Sequence, residues 1–215
     1  LNIWYLRQWG GVNSENGNPM YIKGGEDFDM TIVTSLNSAE QTLVGNRLPT
    51  YTGGLGTRVN WGGFYADANF YFSGGNKIFE RWNWYSQSSG LRSVYSYQGA
   101  AVLMDRWQKP GDITDVPRMR YSSSSATTGS GTSTRFLYDG DYVRLRDLVV
   151  GYNVDRSSAE KLGFDSIALT VKGTNLWTWV KDENLSTDPE VGFDGSWRIY
   201  TPMLKSVSLG LNLKF

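Results

Sequence analysis

The 215-residue sequence contains no cysteine and no histidine. Without cysteine there are no disulfides, no thiolate metal sites and no cysteine nucleophile. Without histidine the commonest general base and the commonest transition-metal ligand are missing, so most hydrolase triads and zinc sites cannot be assembled from these residues. Proline is sparse, at 6 residues, and neither sign of charge predominates, with 21 basic residues against 21 acidic ones. That balance offers no basic footprint for nucleic acid. No run approaches the ~18 consecutive apolar residues that a membrane helix needs. A chain of this kind that crosses a membrane must do so as strands of a closed barrel, which also satisfies every backbone group in lipid.

What the sequence does have is 25 glycines and an aromatic content of 14%. Many of the rings fall in segments that alternate with period two, the signature of strands. In the last segment Lys205, Val207, Leu209, Leu211, Leu213 and Phe215 share one face, and Ser206, Ser208, Gly210, Asn212 and Lys214 the other. Alone, that pattern fits a soluble sandwich edge equally well. It recurs, however, with the same polarity. Phe64, Ala66, Ala68, Phe70 and Phe72 oppose Tyr65, Asp67, Asn69 and Tyr71, and Ile167, Leu169 and Val171 oppose Ser166, Thr170 and Lys172, with Trp177 and Trp179 beyond. One face suits lipid, the other a wet lumen, and rings at strand ends suit interfacial girdles.

Connection lengths alternate too. Gly62-Gly63 makes a two-residue hairpin, and the link around Arg156 to Gly163 is short, whereas 10–51, 75–134 and 181–202 are long. Short turns on one side and long loops on the other describe an outer-membrane barrel. The expected architecture is all-β, with six or so antiparallel membrane strands at about 1–9, 52–61, 64–74, 135–152, 165–180 and 203–215, and extracellular loops between them. The abrupt apolar opening Leu1-Asn2-Ile3-Trp4 makes Leu1 an expected internal residue of a longer protein. Within 135–152, alternation places Arg144 and Arg146 on one face and Asp147 on the other, so the charged part is expected above the membrane. Val94, Tyr97, Ala101, Met104 and Trp107 have the spacing of a loop helix stopped by Pro110-Gly111, and 122–133 is a Ser/Thr/Gly tract of low complexity.

Seven stretches together resemble one family. Gly11-Val-Asn-Ser-Glu-Asn-Gly-Asn-Pro-Met-Tyr21 resembles the GVDPETGDPLY stretch of SusC/RagA-like TonB-dependent outer-membrane transporters, with Asn13-Ser14 in place of Asp-Pro. Leu48-Pro-Thr-Tyr-Thr-Gly-Gly-Leu55 is similar to their LPKYTGGL. Arg106-Trp-Gln-Lys-Pro-Gly-Asp112 with Asp115-Val-Pro-Arg118 is similar to RWTKPGD and IPR. Asp141-Tyr-Val-Arg-Leu-Arg-Asp-Leu-Val-Val-Gly-Tyr152, Gly173-Thr-Asn-Leu-Trp-Thr-Trp179, Asp188-Pro-Glu-Val191 and the final Gly210-Leu-Asn-Leu-Lys-Phe215 complete the series.

The resemblance implies the C-terminal portion of a barrel of about 22 strands, in a bacterial outer membrane. It also implies an importer of glycans or peptides that works with a SusD-like surface lipoprotein as lid. The plug and TonB box, through which TonB acts, lie outside this sequence. Partners are then the rest of the barrel and plug, the lipoprotein, TonB, the barrel-assembly machinery and membrane lipids, and no enzymatic activity is implied. A different class of reading is a soluble carbohydrate-binding β-sandwich, or a porin or adhesin barrel independent of TonB.

Exposed loop aromatics stack on sugars or pack against a partner, so Trp82, Trp84, Tyr85, Tyr95, Trp197 and Tyr200 are the candidate ligand or lid contacts. Tyr97 and Trp107 also sit in the long connections, and Trp107, on the apolar stripe of the loop helix, is expected to be structural. Phe215 is the candidate assembly signal, because a terminal outward-facing ring is read by the assembly machinery in the family the chain resembles. Asp182, Glu183, Asp188, Glu190 and Asp194 lack the spacing of a calcium loop and are expected as solvated loop charge, with no cofactor. The pair Asp139 and Asp141 has no apolar pocket to separate two pKa values for glycosidase work.

Overall fold

The computed structural model describes residues 2–25, 27, 29–89, 98–120, 128–190, 195–197 and 201–215. In chain order the strands are β1 (Ile3–Val12), β2 (Pro19–Gly24), β3 (Asp29–Val33), β4 (Gln41–Asn46), β5 (Tyr51–Trp61) and β6 (Phe64–Gly74). These are followed by β7 (Lys77–Glu80), β8 (Leu137–Asp139), β9 (Tyr142–Asn153), β10 (Ser166–Val180), β11 (Ser196–Trp197) and β12 (Ser206–Lys214). Two short helices, α1 (Arg81–Ser86) and α2 (Arg156–Lys161), and three 3-10 turns complete the described elements. Among the described residues no helix is long and apolar enough to cross a membrane.

The chain divides into two units. The first takes in residues 1–48, 76–139 and 191–200, and the second 49–75, 140–190 and 201–215.

The second unit is a five-stranded antiparallel meander in the order β12-β10-β9-β6-β5. Its register follows from the sequence. At the first hairpin Trp61 pairs with Phe64, and the two intervening residues, Gly62 and Gly63, have φ of +54° and +87°. Two consecutive positive φ values make the tight turn whose twist matches the strands, and glycine adopts them without a Cβ clash. β9 and β10 are joined through α2, where the Asp155 carboxylate accepts the Ser158 N–H and caps the helix N-terminus. The sheet does not close. β5 and β12 each have one unpaired edge among the described residues.

The first unit contains a four-stranded sheet, β3-β2-β1-β4, and a three-stranded one, β11-β7-β8, in which β11 runs parallel to β7. It has ordinary small cores. Leu6, Phe79 and Phe136 are buried together with Trp4, Val44, Trp84 and Leu137 packed around them, and Tyr21, Leu36 and Ala39 form a second cluster with Trp9 and Val33.

Several sequence expectations need correction. The segment 1–9 is strand, but it pairs with β2 and β4 and is not part of the meander. The expected strand 135–152 is two strands, interrupted at Gly140-Asp141, and β8 pairs with β7. The stretches 10–51 and 75–134, expected as loops, hold β2, β3, β4 and β7, whose few residues alternate too briefly to stand out. The expected loop helix is a 3-10 turn over Ala101–Asp105. Trp107 lies beyond it, and Val94 and Tyr97 lie outside the described residues.

Candidate functional site

The meander's two faces differ completely in chemistry. Cross-strand partners share a face, so the register assigns each residue. On one face Trp61, Phe64, Tyr152, Leu169 and Leu211 form a row, Val59, Ala66, Val150, Val171 and Leu209 the next, and Leu55, Phe70, Leu145 and Trp177 a higher one. These are large apolar side chains with nothing over them: Trp61 is 81% exposed and Leu209 83%. A monomeric soluble protein does not leave so broad an apolar area in water. From Phe64 to Phe72 the band runs eight residue steps of ~3.3 Å, about 26 Å along the strand. With a strand tilt of about 40° its height is roughly 20 Å, close to the apolar band of a membrane barrel. Rings occupy both ends, with Phe64 against Tyr152 at 4.4 Å and Phe164 against Phe215 at 5.0 Å at one, and Phe72, Trp177 and Trp179 at the other.

The opposite face is polar and self-paired. Arg58 meets Asp67 at 3.3 Å and Lys172 meets Asp147 at 2.9 Å. The Tyr65 ring lies across Gly151, where a Cβ would fall within 2.4 Å of the ring, and its hydroxyl is 2.9 Å from Thr170 Oγ1. At the upper end Asp141 ties four strand ends, accepting from Tyr51 Oη (3.2 Å), the Gly75 N–H (2.7 Å) and Lys181 Nζ (3.4 Å), while its own carbonyl accepts the Lys181 N–H.

Simple alternation fails within β9. Asn69 pairs with Asp147 but the next residue, Phe70, pairs with Leu145, so Arg146 is an extra residue in β9. This bulge puts Arg144 and Asp147 on the same polar face, against the expectation that they oppose one another, because a bulge resets the alternation. Arg144, 1% exposed, is held by Asp188 at 2.6 Å and Glu190 at 2.9 Å, and Arg146 also pairs with Glu190. Two of the five acids expected as solvated loop charge are therefore partners of a buried guanidinium. No short-range pattern announces them, since 44 residues separate Arg144 from Asp188. Among the described residues no group of three or more acidic side chains is arranged to hold a metal ion.

The loop aromatics fare unequally. Trp84 packs on the Leu6/Phe79/Phe136 cluster, donates Nε1–H to the Ser130 carbonyl and lies 4.8 Å from the Tyr85 ring, and both rings are half-buried. Trp82, on the other side of α1, is exposed. Trp197 lies in β11. Tyr95 and Tyr200 fall outside the described residues. Phe215 is exposed on the apolar face.

Two of the family-like stretches meet in the first unit. In the turn between β1 and β2, Asn13 Oδ1 accepts the N–H groups of Glu15 and Asn16, so asparagine here makes the local turn an aspartate would make. Onto that turn the 106–118 stretch docks. Trp107 donates Nε1–H to the Ser14 carbonyl at 2.8 Å, and its ring lies where a Cβ on Gly17 (φ +68°) would clash. The N–H groups of Gly111 and Arg118 donate to the carbonyls of Ser14 and Gly17. Asp112 shapes the docking turn by accepting the N–H groups of Gln108 and Lys109, which hold its carboxyl below the usual range. Trp107 is thus structural, but through this joint and not through a helix stripe. Burial pushes the Tyr21 hydroxyl up to about 12 and pulls Arg135, stacked between Trp9 and Phe136, down to about 10.

No protein-family model matches the chain. It is 29% identical over 206 residues to TonB-dependent receptor P3 of Formosa agariphila, covering 89% of this chain and 19% of that protein. To TonB-dependent receptor P39 of the same organism it is 26% identical over 183 residues, covering 82% of this chain and 17% of the relative. The chain therefore spans about a fifth of the length of these curated relatives. Among solved structures it matches the RagAB peptide transporter with a TM-score of 0.81 at 20% identity, over 99% of this chain and 23% of that one. The RagAB peptide importer in its closed-closed state matches with a TM-score of 0.79 at 21% identity, over the same shares. The chain is thus similar to TonB-dependent receptors and has the all-β fold of a stretch of the RagAB barrel, in keeping with its SusC/RagA-like motifs.

Proposed function

We propose that this chain is the C-terminal barrel stretch of a TonB-dependent outer-membrane importer of glycans or peptides. The observation that carries the reading is the meander itself. It has one exposed apolar face with rings at both ends, one ion-paired polar face, and two open edges that further strands would continue. In this arrangement 62–63 and 154–165 are periplasmic turns, and the long connections between 10 and 51, 75 and 134, and 181 and 202 are extracellular. The plug and the TonB-contact segment belong to sequence outside this chain. A SusD-like surface lipoprotein closes the mouth. Trp82 is the described ring best presented for contact with substrate or lid, and Tyr95, Trp197 and Tyr200 remain candidates. Phe215, exposed among the apolar residues, is the assembly-machinery contact. The reading includes no enzymatic step.

The test uses the whole protein in its own outer membrane. Uptake of labelled oligosaccharide or peptide should stop when TonB is deleted, and a surface lipoprotein should co-purify in detergent. Uptake that continues without TonB would reject the importer in favour of a diffusion porin.

A further inference from the structure

Along most of its length the polar face of the meander is open, with the Arg58 side chain 61% exposed and that of Lys172 49%. At its upper end the same face is closed over. Ser73, Tyr142 and Arg144 are 4%, 5% and 1% exposed. What lies against Arg144 there is the chain just beyond β10, through Asp188 and Glu190. The returning limb is tied to the same place. Asp188 accepts the Met203 N–H at 3.0 Å, and Asn175 donates Nδ2–H to the Leu204 carbonyl at 3.2 Å.

Both strands beneath carry irregularities at this level. In β9 the extra residue Arg146 turns Arg144 onto the polar face, where regular alternation from Asp147 would send it to the apolar one. In β10 the pairing shifts again between Thr174 and Trp177, around Asn175, which has a φ of +54°. Asparagine is among the few non-glycine residues that adopt that conformation readily. Two neighbouring strands thus depart from regularity at the level where one segment is fastened.

We infer that residues 181–190 and 201–204 form an inward-folded constriction strap on the lumen side of the barrel, with Arg144 as the positioning residue that holds it. The inference rests on the barrel reading, which makes the polar face the lumen. It goes beyond that reading because it takes part of a nominally extracellular loop into the transport path. There the half-open Arg146 and Glu190, 29% and 26% exposed at their side chains, set the charge a solute passes.

The test is a distance measurement in the whole membrane-inserted protein, with spin labels at Asn69→Cys on the polar face and Glu183→Cys on the strap. The otherwise unchanged protein should give one narrow distance distribution. Arg144→Met should broaden and lengthen it, and the pair Asp188→Asn with Glu190→Gln should do the same while leaving the strand untouched. A distribution that stays narrow in both variants, or that is already broad in the parent, overturns the strap. Heat-modifiable electrophoretic mobility reports barrel integrity alongside. If Arg144→Met loses it, the acid pair decides. If the parent itself lacks it, the barrel reading has failed and not the strap alone.

Discussion

The two units bury apolar surface in opposite ways. The first does what soluble proteins do: Phe136, Phe79 and Leu6 close on one another, and exposed positions are largely polar. Among the described residues the second has no comparable cluster; its large side chains from Leu55 to Leu213 touch their cross-strand neighbours but are largely exposed on the outer side. The first is therefore stabilised by its own packing. The second depends on hydrocarbon taking the place of a core, and on further strands to satisfy its edges.

The contrast can be broken from either side. The largest effect is expected for Phe136→Ala, which should cost ~3–5 kcal/mol by opening a cavity. Protease cleavage of the first unit in the whole protein would report it, with heat-modifiability of the barrel retained. Val150→Arg should cost about 2–4 kcal/mol in a bilayer, whereas Val149→Arg, on the polar face between Asp67 and Lys172, should be nearly neutral. Equal losses in a chemical-denaturation assay in lipid would sink the assignment of faces.

Alkali should act on the first unit through Tyr21. Tyr21 is held neutral by burial with its hydroxyl raised to about 12, so its contribution is complete below about 10 and lost as the pH rises from there to about 12. The loss is on the order of 2 kcal/mol. Ultraviolet absorbance should show a late phenol ionisation that coincides with unfolding of that unit, and Tyr21→Phe should abolish that step. Gly17→Ala should cost about 1–2 kcal/mol for the left-handed backbone alone. It should also loosen the Trp107 joint, read as faster hydrogen exchange at the Gly111 and Arg118 amides. The smallest effect is expected at the rim, where Arg156→Ala removes an exposed i,i+4 pair with Glu160 and should change stability by only ~0.3–0.5 kcal/mol.

How much of this was legible in the sequence follows the same division. In the meander, period-two alternation signals the strands because one face must be apolar throughout and the glycine pair at 62–63 has a single use. The first unit's strands are short, and their side chains serve small clusters on several sides, so no one period dominates. For the same reason 1–9 looks by sequence like a membrane strand of the meander, although it pairs with β2 and β4. For the candidate contacts the limit was distance along the chain. Trp84 reads as an exposed loop aromatic, while the residues it packs against, Leu6, Phe79 and Phe136, come from three separate stretches. The Arg144 cluster was hidden by one inserted residue, which defeats any argument that counts in twos.

That inserted residue also bears on how the barrel is built. A strand joining a growing sheet can align one residue out of step, and every side chain then changes face. Here such a slip at β9 would turn Asp147 or Arg144 toward hydrocarbon and separate Arg144 from both of its carboxylates. The shifted register would place a charge on the apolar face and leave it unpaired, so the charges at this level favour the bulged alignment over its neighbours.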